Sequence, residues 1–284
     1  MTIAIIGTGF VGVVSAAVYA SLGEIVIGLD IDESKIESLK QGKVPFFEPD
    51  LEELLKKEQA SGNLTFTTQY LQAISNADLV IIAVGTPSAA DGQVNLDYVY
   101  SAAESMAPFL KEGAIVAIKS TVPPGTLDEV SQRITAKLED KALNFSMVSM
   151  PEFLREGKAV ADTLQPDRVV IGTTDDQVFA VLEDLHKPLG APIIRVNPIS
   201  AQMAKYSANA YLATRITFIN QISDLCHHTG ADIEEVIKAI GYDKRIGDHY
   251  WYPGFGYGGS CFPKDVKELA HYSRQVGLDQ NLLN

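Results

Sequence analysis

Residues 1–12 read MTIAIIGTGFVG, and the order of residue types in that stretch decides the fold. Thr2–Ile6 is a short, mostly β-branched apolar run of strand length, with no charge before it. It enters the turn Gly7-Thr8-Gly9-Phe10-Val11-Gly12, and Phe10–Leu22 then reads as a helix. In this strand–turn–helix setting each glycine has a separate task. Gly7 allows the tight turn, Gly9 allows close approach of backbone to a pyrophosphate, and Gly12 lets the helix pack on the strand, with the helix N-terminus facing the phosphates.

A second apolar run, Glu24–Leu29, ends at Asp30, 18 residues beyond Gly12. A carboxylate there can accept both ribose hydroxyls and would repel a 2′-phosphate, which favours NAD over NADP. Lys35 on the next predicted helix can offset that charge. A bound flavin and a plain glycine turn with a surface aspartate are the competing readings.

The same alternation continues outward. Strands are predicted at Leu64–Phe66, Leu79–Val84, Ala114–Lys119, Phe145–Ser149 and Arg168–Ile171, with helices at Asp32–Leu39, Pro49–Glu58 and Gly125–Leu138 among them. This pattern implies an α/β protein built on a parallel sheet with helices on both faces. After Pro198 the pattern changes. Ile199–Thr229 contains no Gly or Pro and reads as one long helix, followed by Asp232–Ile240 and Lys264–Gln275. The expected architecture is therefore a Rossmann-like doubly wound parallel sheet over residues 1–197, followed by a long central helix and small helical domain over 198–284. The closing GLDQNLLN has apolar side chains without an obvious partner element, as expected where a longer protein has been cut.

Composition narrows the function classes. The chain has 284 residues, 46% hydrophobic and 21% charged, which fits a soluble globular protein. A net charge of −13 leaves no basic footprint for nucleic acid. No apolar run reaches membrane-spanning length and no leader-like segment is visible, so a cytoplasmic setting is expected. Cys226 and Cys261 are too few for a disulfide framework, and neither has zinc-like neighbours, so no metal is expected.

Cys226, among apolar residues of the long helix, reads as a buried small hydrophobe. Cys261 stands in Gly256-Tyr257-Gly258-Gly259-Ser260-Cys261-Phe262-Pro263-Lys264-Asp265. The glycines suggest backbone wrapped around a ligand, and a helix beginning at Lys264-Asp265 would favour a thiolate able to attack a carbonyl. Thr86 and Thr121 follow predicted strand ends, where ligands lie in open parallel sheets, although turn formation or helix capping explains them equally well. Lys205 and Asn209 are four apart on the long helix and share a face. An inward lysine could bind phosphate or move a proton, while a solvated surface lysine is the plainer alternative. His227 and His228 read as surface residues.

Taken together, GTGFVG, VGTP, KSTVPPGT, PEFLREG, PDRVVIG, KYSANA and FGYGGSCFPKD occur in this order over essentially the whole chain. They resemble the nucleotide-sugar dehydrogenases of the UDP-glucose/GDP-mannose dehydrogenase family. The resemblance implies a four-electron oxidation of UDP-glucose to UDP-glucuronate, with NAD as cofactor. The Cys261 thiolate would capture the intermediate aldehyde as a thiohemiacetal that is oxidised to a thioester and hydrolysed.

By motif, Lys205 and Asn209 correspond to an oxyanion site, Glu152 to the glutamate of thioester hydrolysis, Asp265 to an aspartate that positions water, and Thr121 to a threonine beside the nicotinamide. Cofactor contacts are implied for Gly7, Gly9, Phe10, Val11, Gly12, Asp30, Lys35, Thr86, Thr121, Glu156 and Lys264. Substrate contacts are implied for Glu152, Phe153, Leu154, Arg155, Glu156, Lys205, Asn209, Tyr250, Trp251, Tyr252, Pro253, Gly254 and Gly258, the aromatic residues having packing as their alternative role.

The chain departs from the family pattern at Gln202, where a glutamate is expected, and at Met150, where an asparagine is expected. It also stops before the C-terminal domain that closes over the nucleotide. The resemblance further implies a homodimer through the helix at 199–229, a buried intrachain helix being the alternative. Other readings are oxidation of another nucleotide sugar (GDP-mannose or a UDP-N-acetylhexosamine), a two-electron hydroxyacid dehydrogenase that needs no thiol, and a non-catalytic NAD-binding and dimerisation module.

Overall fold

The computed structural model describes residues 1–89, 91–138 and 143–278. Among these, eight strands form one sheet: β1 (Thr2–Ile6), β2 (Ile25–Leu29), β3 (Leu64–Thr67), β4 (Leu79–Ile82), β5 (Ala114–Ile118), β6 (Phe145–Ser149), β7 (Val169–Gly172) and β8 (Ile193–Val196). The helices between them are α1 (Phe10–Ser21), α2 (Glu33–Lys40), α3 (Leu51–Ser61), α4 (Tyr70–Ile74), α5 (Asp97–Met106), α6 (Thr126–Leu138), α7 (Ala159–Leu164) and α8 (Asp176–His186). After the sheet come α9 (Pro198–Thr229), α10 (Ile233–Gly241) and α11 (Phe262–Gln275).

Strand order is β3-β2-β1-β4-β5-β6-β7-β8, so the winding reverses between β1 and β4. Successive side chains of β1 serve opposite faces: Ile3 and Ile5 belong to one buried cluster, Ala4 and Ile6 to another. A strand that is apolar on both faces is what a sheet covered twice by helices requires. The doubly wound fold expected from the sequence is therefore present. One feature corrects a wholly parallel sheet: β7 pairs antiparallel with β6 through Ser149 and Gly172, and β8 runs parallel to β7. An antiparallel neighbour needs no crossover helix. The chain leaving β6 is thereby free to form an irregular loop before the six-residue α7.

The chain divides into two compact units. The first comprises Met1–Pro87 and Asn95–Lys205 and contains the whole sheet. The second comprises Ser88–Val94 and the chain from Tyr206 onward. Helix α9 thus begins in the first unit and continues in the second. Within the second unit, Ser88 and Val94 form an isolated antiparallel bridge, and the arm between them meets α11. Gly92, at φ +87°, would bring a Cβ to 3.0 Å from the Lys267 carbonyl, and His271 Nδ1 lies 3.2 Å from the Asp91 carbonyl. Among the described residues no helix is long and apolar enough to cross a membrane.

Candidate active site

The reversal between β1 and β4 is where an open α/β sheet binds ligands, and the glycine turn sits there. Gly7 has φ +95°, donates its N–H to the Leu29 carbonyl at 2.8 Å, and would place a Cβ 2.8 Å from the Ala83 carbonyl oxygen. At Gly12 a Cβ would fall 1.8 Å from the Gly7 oxygen, so helix and turn meet at a distance only glycine permits. A Cβ at Gly9, by contrast, would meet nothing within 4 Å. Gly9 caps α1 with extended backbone and no side-chain hydrogen bond, and the first turn of α1 holds no acid. Backbone N–H groups bordered by open space suit a pyrophosphate, so the residues present fit a dinucleotide. Phe10 and Val11 pack partly buried against the core.

Asp30 accepts hydrogen bonds from Thr8 N at 2.8 Å, Thr8 Oγ1 at 2.9 Å and Asp32 N at 3.1 Å, and pairs with Lys35 Nζ at 2.9 Å. Burial works against its carboxylate, but the hydrogen bonds from Lys35, Thr8 and Asp32 outweigh that and hold its pKa below the usual range. The ion pair with Lys35 offsets much of the negative charge that would exclude a 2′-phosphate. The fully buried Thr8, which fixes the aspartate, was missed from the sequence because it is the variable position of the fingerprint. Thr86 is buried after β4, and Thr121 lies partly exposed after β5.

Beyond β6, Glu152 turns back on its own loop: its Oε2 accepts from Leu154 N at 2.6 Å while Oε1 pairs with Lys205 Nζ at 2.8 Å. Both side chains are more than nine-tenths buried. Lys205 is therefore a buried cation with a committed partner, not a solvated surface residue. Phe153 presents its ring to Arg168, 3.7 Å away, and to Lys205 at 5.6 Å. Arg155 is held by Asp162 through Nε at 2.9 Å and NH2 at 2.6 Å, and Glu156 is exposed.

A third charged group joins this cluster. Lys119 follows Ile118 on β5, next to the strand that delivers Glu152, and Met150 N donates to the Ile118 carbonyl at 2.9 Å. Burial pushes the Lys119 ammonium down to about 8, Glu152 working against that and Lys205 reinforcing it. The sequence signal was a lysine closing an otherwise apolar strand.

In the second unit, Cys261 is the N-cap of the 14-residue α11, with Pro263 in the first turn. The thiol is free and partly exposed, and Ser260 Oγ lies 3.5 Å from its sulfur. Gly256 and Gly259, at φ +100° and +83°, hold left-handed conformations that shape the approach to it. Cys226 is buried. Asn209 donates to Asp265 Oδ2 at 2.5 Å. Lys264 stands 2.7 Å from Asp265 and 3.2 Å from Glu268. Burial disfavours the Lys264 ammonium, but the two carboxylates outweigh it and raise its pKa. Glu268 also accepts from Tyr206 at 3.0 Å and Ser88 at 2.6 Å, and burial lifts its carboxyl above the usual value against all three donors.

Trp251 stacks under Arg215 at 3.9 Å and donates to the Gly247 carbonyl, and Gly254 N donates to Asn220. Tyr250 has φ +62°, a conformation rare for a bulky residue. Tyr252, Pro253, Gly254 and Gly258 are exposed. Among the described residues no group of His, Cys, Asp and Glu could hold a metal.

A doubly wound sheet with this turn at its switch point defines a dinucleotide-binding α/β protein. The chain belongs to the UDP-glucose/GDP-mannose dehydrogenase family: residues 1–190 match its NAD binding domain and residues 199–284 its central domain. Over 283 residues it is 46% identical to UDP-glucose 6-dehydrogenase YwqF of Bacillus subtilis (strain 168), covering 100% of this chain and 64% of that protein. It thus spans less than two thirds of that relative's length. Among solved structures it superposes on a UDP-glucose dehydrogenase from the hyperthermophilic archaeon Pyrobaculum islandicum with a TM-score of 0.96 at 39% identity, covering 99% of this chain and 66% of that one. GDP-mannose dehydrogenase from Pseudomonas aeruginosa gives a TM-score of 0.83 at 36% identity, covering 100% of this chain and 66% of that one.

Proposed function

We propose that this chain carries the catalytic groups for an NAD-dependent, four-electron oxidation of UDP-glucose to UDP-glucuronate. The observation that carries the reading is the Cys261 thiol at the start of α11, among left-handed glycines, in a chain that also buries a Lys205–Glu152 pair. When bound along residues 7–12 and Asp30, NAD⁺ accepts a hydride in each of two oxidations.

The chain's own groups do the rest. Lys205 and Asn209 donate to the oxygen on carbon 6 as negative charge develops there. Cys261 Sγ bonds to carbon 6 of the aldehyde and holds it as a thiohemiacetal, so that it cannot escape before the second oxidation. Loss of the second hydride leaves a thioester. Glu152 takes a proton from the water that attacks it, Asp265 positions that water, and the carbon–sulfur bond breaks to return the thiolate. The balance is one UDP-glucose, two NAD⁺ and one water giving UDP-glucuronate, two NADH and three protons. By motif, this reading assigns NAD contacts to Thr121, Thr86, Phe10, Val11, Lys35, Glu156 and Lys264, and sugar-nucleotide contacts to Phe153, Leu154, Arg155, residues 250–254 and Gly258.

The test is to incubate the chain with UDP-glucose and excess NAD⁺ and count NADH per sugar consumed. Two per sugar is expected in the wild type, and Cys261→Ser is expected to abolish the second. One per sugar in the wild type, or two in Cys261→Ser, would overturn the thiol mechanism. GDP-mannose and UDP-N-acetylhexosamines in the same assay test the competing substrates.

Two copies of the chain are proposed to pair through α9. Tyr211, Phe218 and Leu225 repeat at a spacing of seven and are 61%, 46% and 60% exposed, an apolar stripe on one helix face. Phe218→Glu is expected to halve the mass measured by light scattering.

A further inference from the structure

Glu48 takes no part in the site described above, yet it is only 5% exposed. One carboxylate oxygen accepts from Gly157 N at 2.9 Å, and the other from Val160 N at 3.3 Å. Burying a carboxylate is costly unless each oxygen is satisfied, and here main-chain N–H groups more than 100 residues away satisfy it. Two residues earlier, Phe46 packs against Phe10 of the glycine turn, with ring centroids 5.1 Å apart. A single strap between α2 and α3 therefore touches both the dinucleotide turn and the loop after β6.

That loop has no regular structure to hold it and passes through Gly157 at φ +81°. Three of its attachments are spread along its length. Near its start, Glu152 accepts from Leu154 N; in the middle, Arg155 is locked to Asp162; at its far end, Glu48 takes Gly157 and Val160. The first pin is the catalytic carboxylate itself, which must also meet Lys205.

We infer that Glu48 is a positioning residue, whose grip on Gly157 and Val160 holds the loop so that Glu152 stays against Lys205. The inference deepens the reading of Glu152 and Lys205 as working groups, and its test is independent of turnover. The test compares amine acylation of Lys205, read by mass spectrometry, in the wild-type chain, Glu48→Gln, Glu152→Gln and the double variant. Glutamine keeps the volume but offers one acceptor where two are needed. Lys205 labelling is expected to rise about tenfold in Glu48→Gln. It should rise at least as much in Glu152→Gln, and no further in the double variant, because the first change acts only through the second.

Multiplying effects in the double variant, unchanged labelling in Glu48→Gln, or equally faster amide exchange in β1 would each overturn the inference. A second measurement needs no variant. The Gly157 and Val160 amides of the wild-type chain are expected to exchange as slowly as those of β6, and rapid exchange of both would overturn the grip directly.

Discussion

Helices α1 and α11 both begin at a residue that gives no side-chain cap, Gly9 in one and Cys261 in the other, and the two beginnings are built in opposite ways. Around Gly9 the construction is subtractive: glycines let backbone meet backbone, no acid stands in the first turn, and the N–H groups face open space. Around Cys261 it is additive: Lys264 and Asp265 fill the first turn, and Glu268, Tyr206, Asn209 and Ser88 bind them into a buried polar network. The Glu152–Lys205 pair follows the second plan inside the first unit. A subtractive site fails when volume is added, while an additive one fails when one charge of a set is removed.

The largest effect separating the two plans is expected at Lys205. Lys205→Met leaves Glu152 buried without its cation and should cost about 3–5 kcal/mol in urea unfolding. Adding Glu152→Gln should recover most of it; if it does not, the pair is not what holds the site. On the subtractive side, Gly12→Ala should cost about 3 kcal/mol from overlap with the Gly7 carbonyl. Gly9→Ala should change stability by less than about 1 kcal/mol while weakening NAD⁺ binding in calorimetry, since its Cβ would occupy the ligand's space. Equal stability losses at the two glycines would erase the distinction.

Helix α1 carries a different kind of anchor in Tyr19. The Tyr19 hydroxyl meets His186 Nε2 at 3.0 Å, while Nδ1 of that ring lies 2.6 Å from the Leu182 carbonyl. Nδ1 must therefore hold a proton, and the neutral ring accepts from the tyrosine. Burial lowers the His186 pKa to about 4, although the Leu182 carbonyl favours the charged ring. Between the ordinary histidine value and 4 the unfolded chain binds the extra proton, so stability is full above pH 6.5 and lost as pH falls. The loss should be about 2 kcal/mol between pH 6.5 and 5, measured by denaturant unfolding and absent in His186→Gln. The smallest effect expected is spectroscopic. The Lys119 side chain should titrate near pH 8 by NMR, and Glu152→Gln should move that value lower, because the one attractive charge is gone.

The sequence made the sheet legible wherever a strand is buried on both faces, because an unbroken apolar run then marks it. β8 escaped because its four residues are only half-buried or exposed, so burial wrote no pattern into them. The reversal of β7 escaped for another reason: strand direction is set by pairing with β6, not by local residue type. In the site, the glycines, Asp30, Glu152, Lys205 and Cys261 stood out as residue types at meaningful positions. Lys35, five residues from Asp30, could be read as its counter-charge, and the two do pair. More distant partners could not be read: Ser88 reaching Glu268 and Glu48 reaching Gly157 join residues 180 and 109 positions apart, and only the longer-range folding of the chain brings them together.

The arm Ser88–Val94 gives the second unit an unusual pedigree. The unit is discontinuous in the sequence: a ribosome makes its first piece when four of the eight strands have been made and its remainder only from Tyr206 onward. A fragment started at residue 199, where the central-domain match begins, would keep the Tyr206 hydroxyl on Glu268 but lack that of Ser88, and would lack Gly92, which lies against Lys267 of α11. Excision of this unit, or its transfer onto another scaffold, would have to carry the arm as a separate strand. A chimera meant to preserve these contacts has to take residues 88–94 and α11 from the same parent.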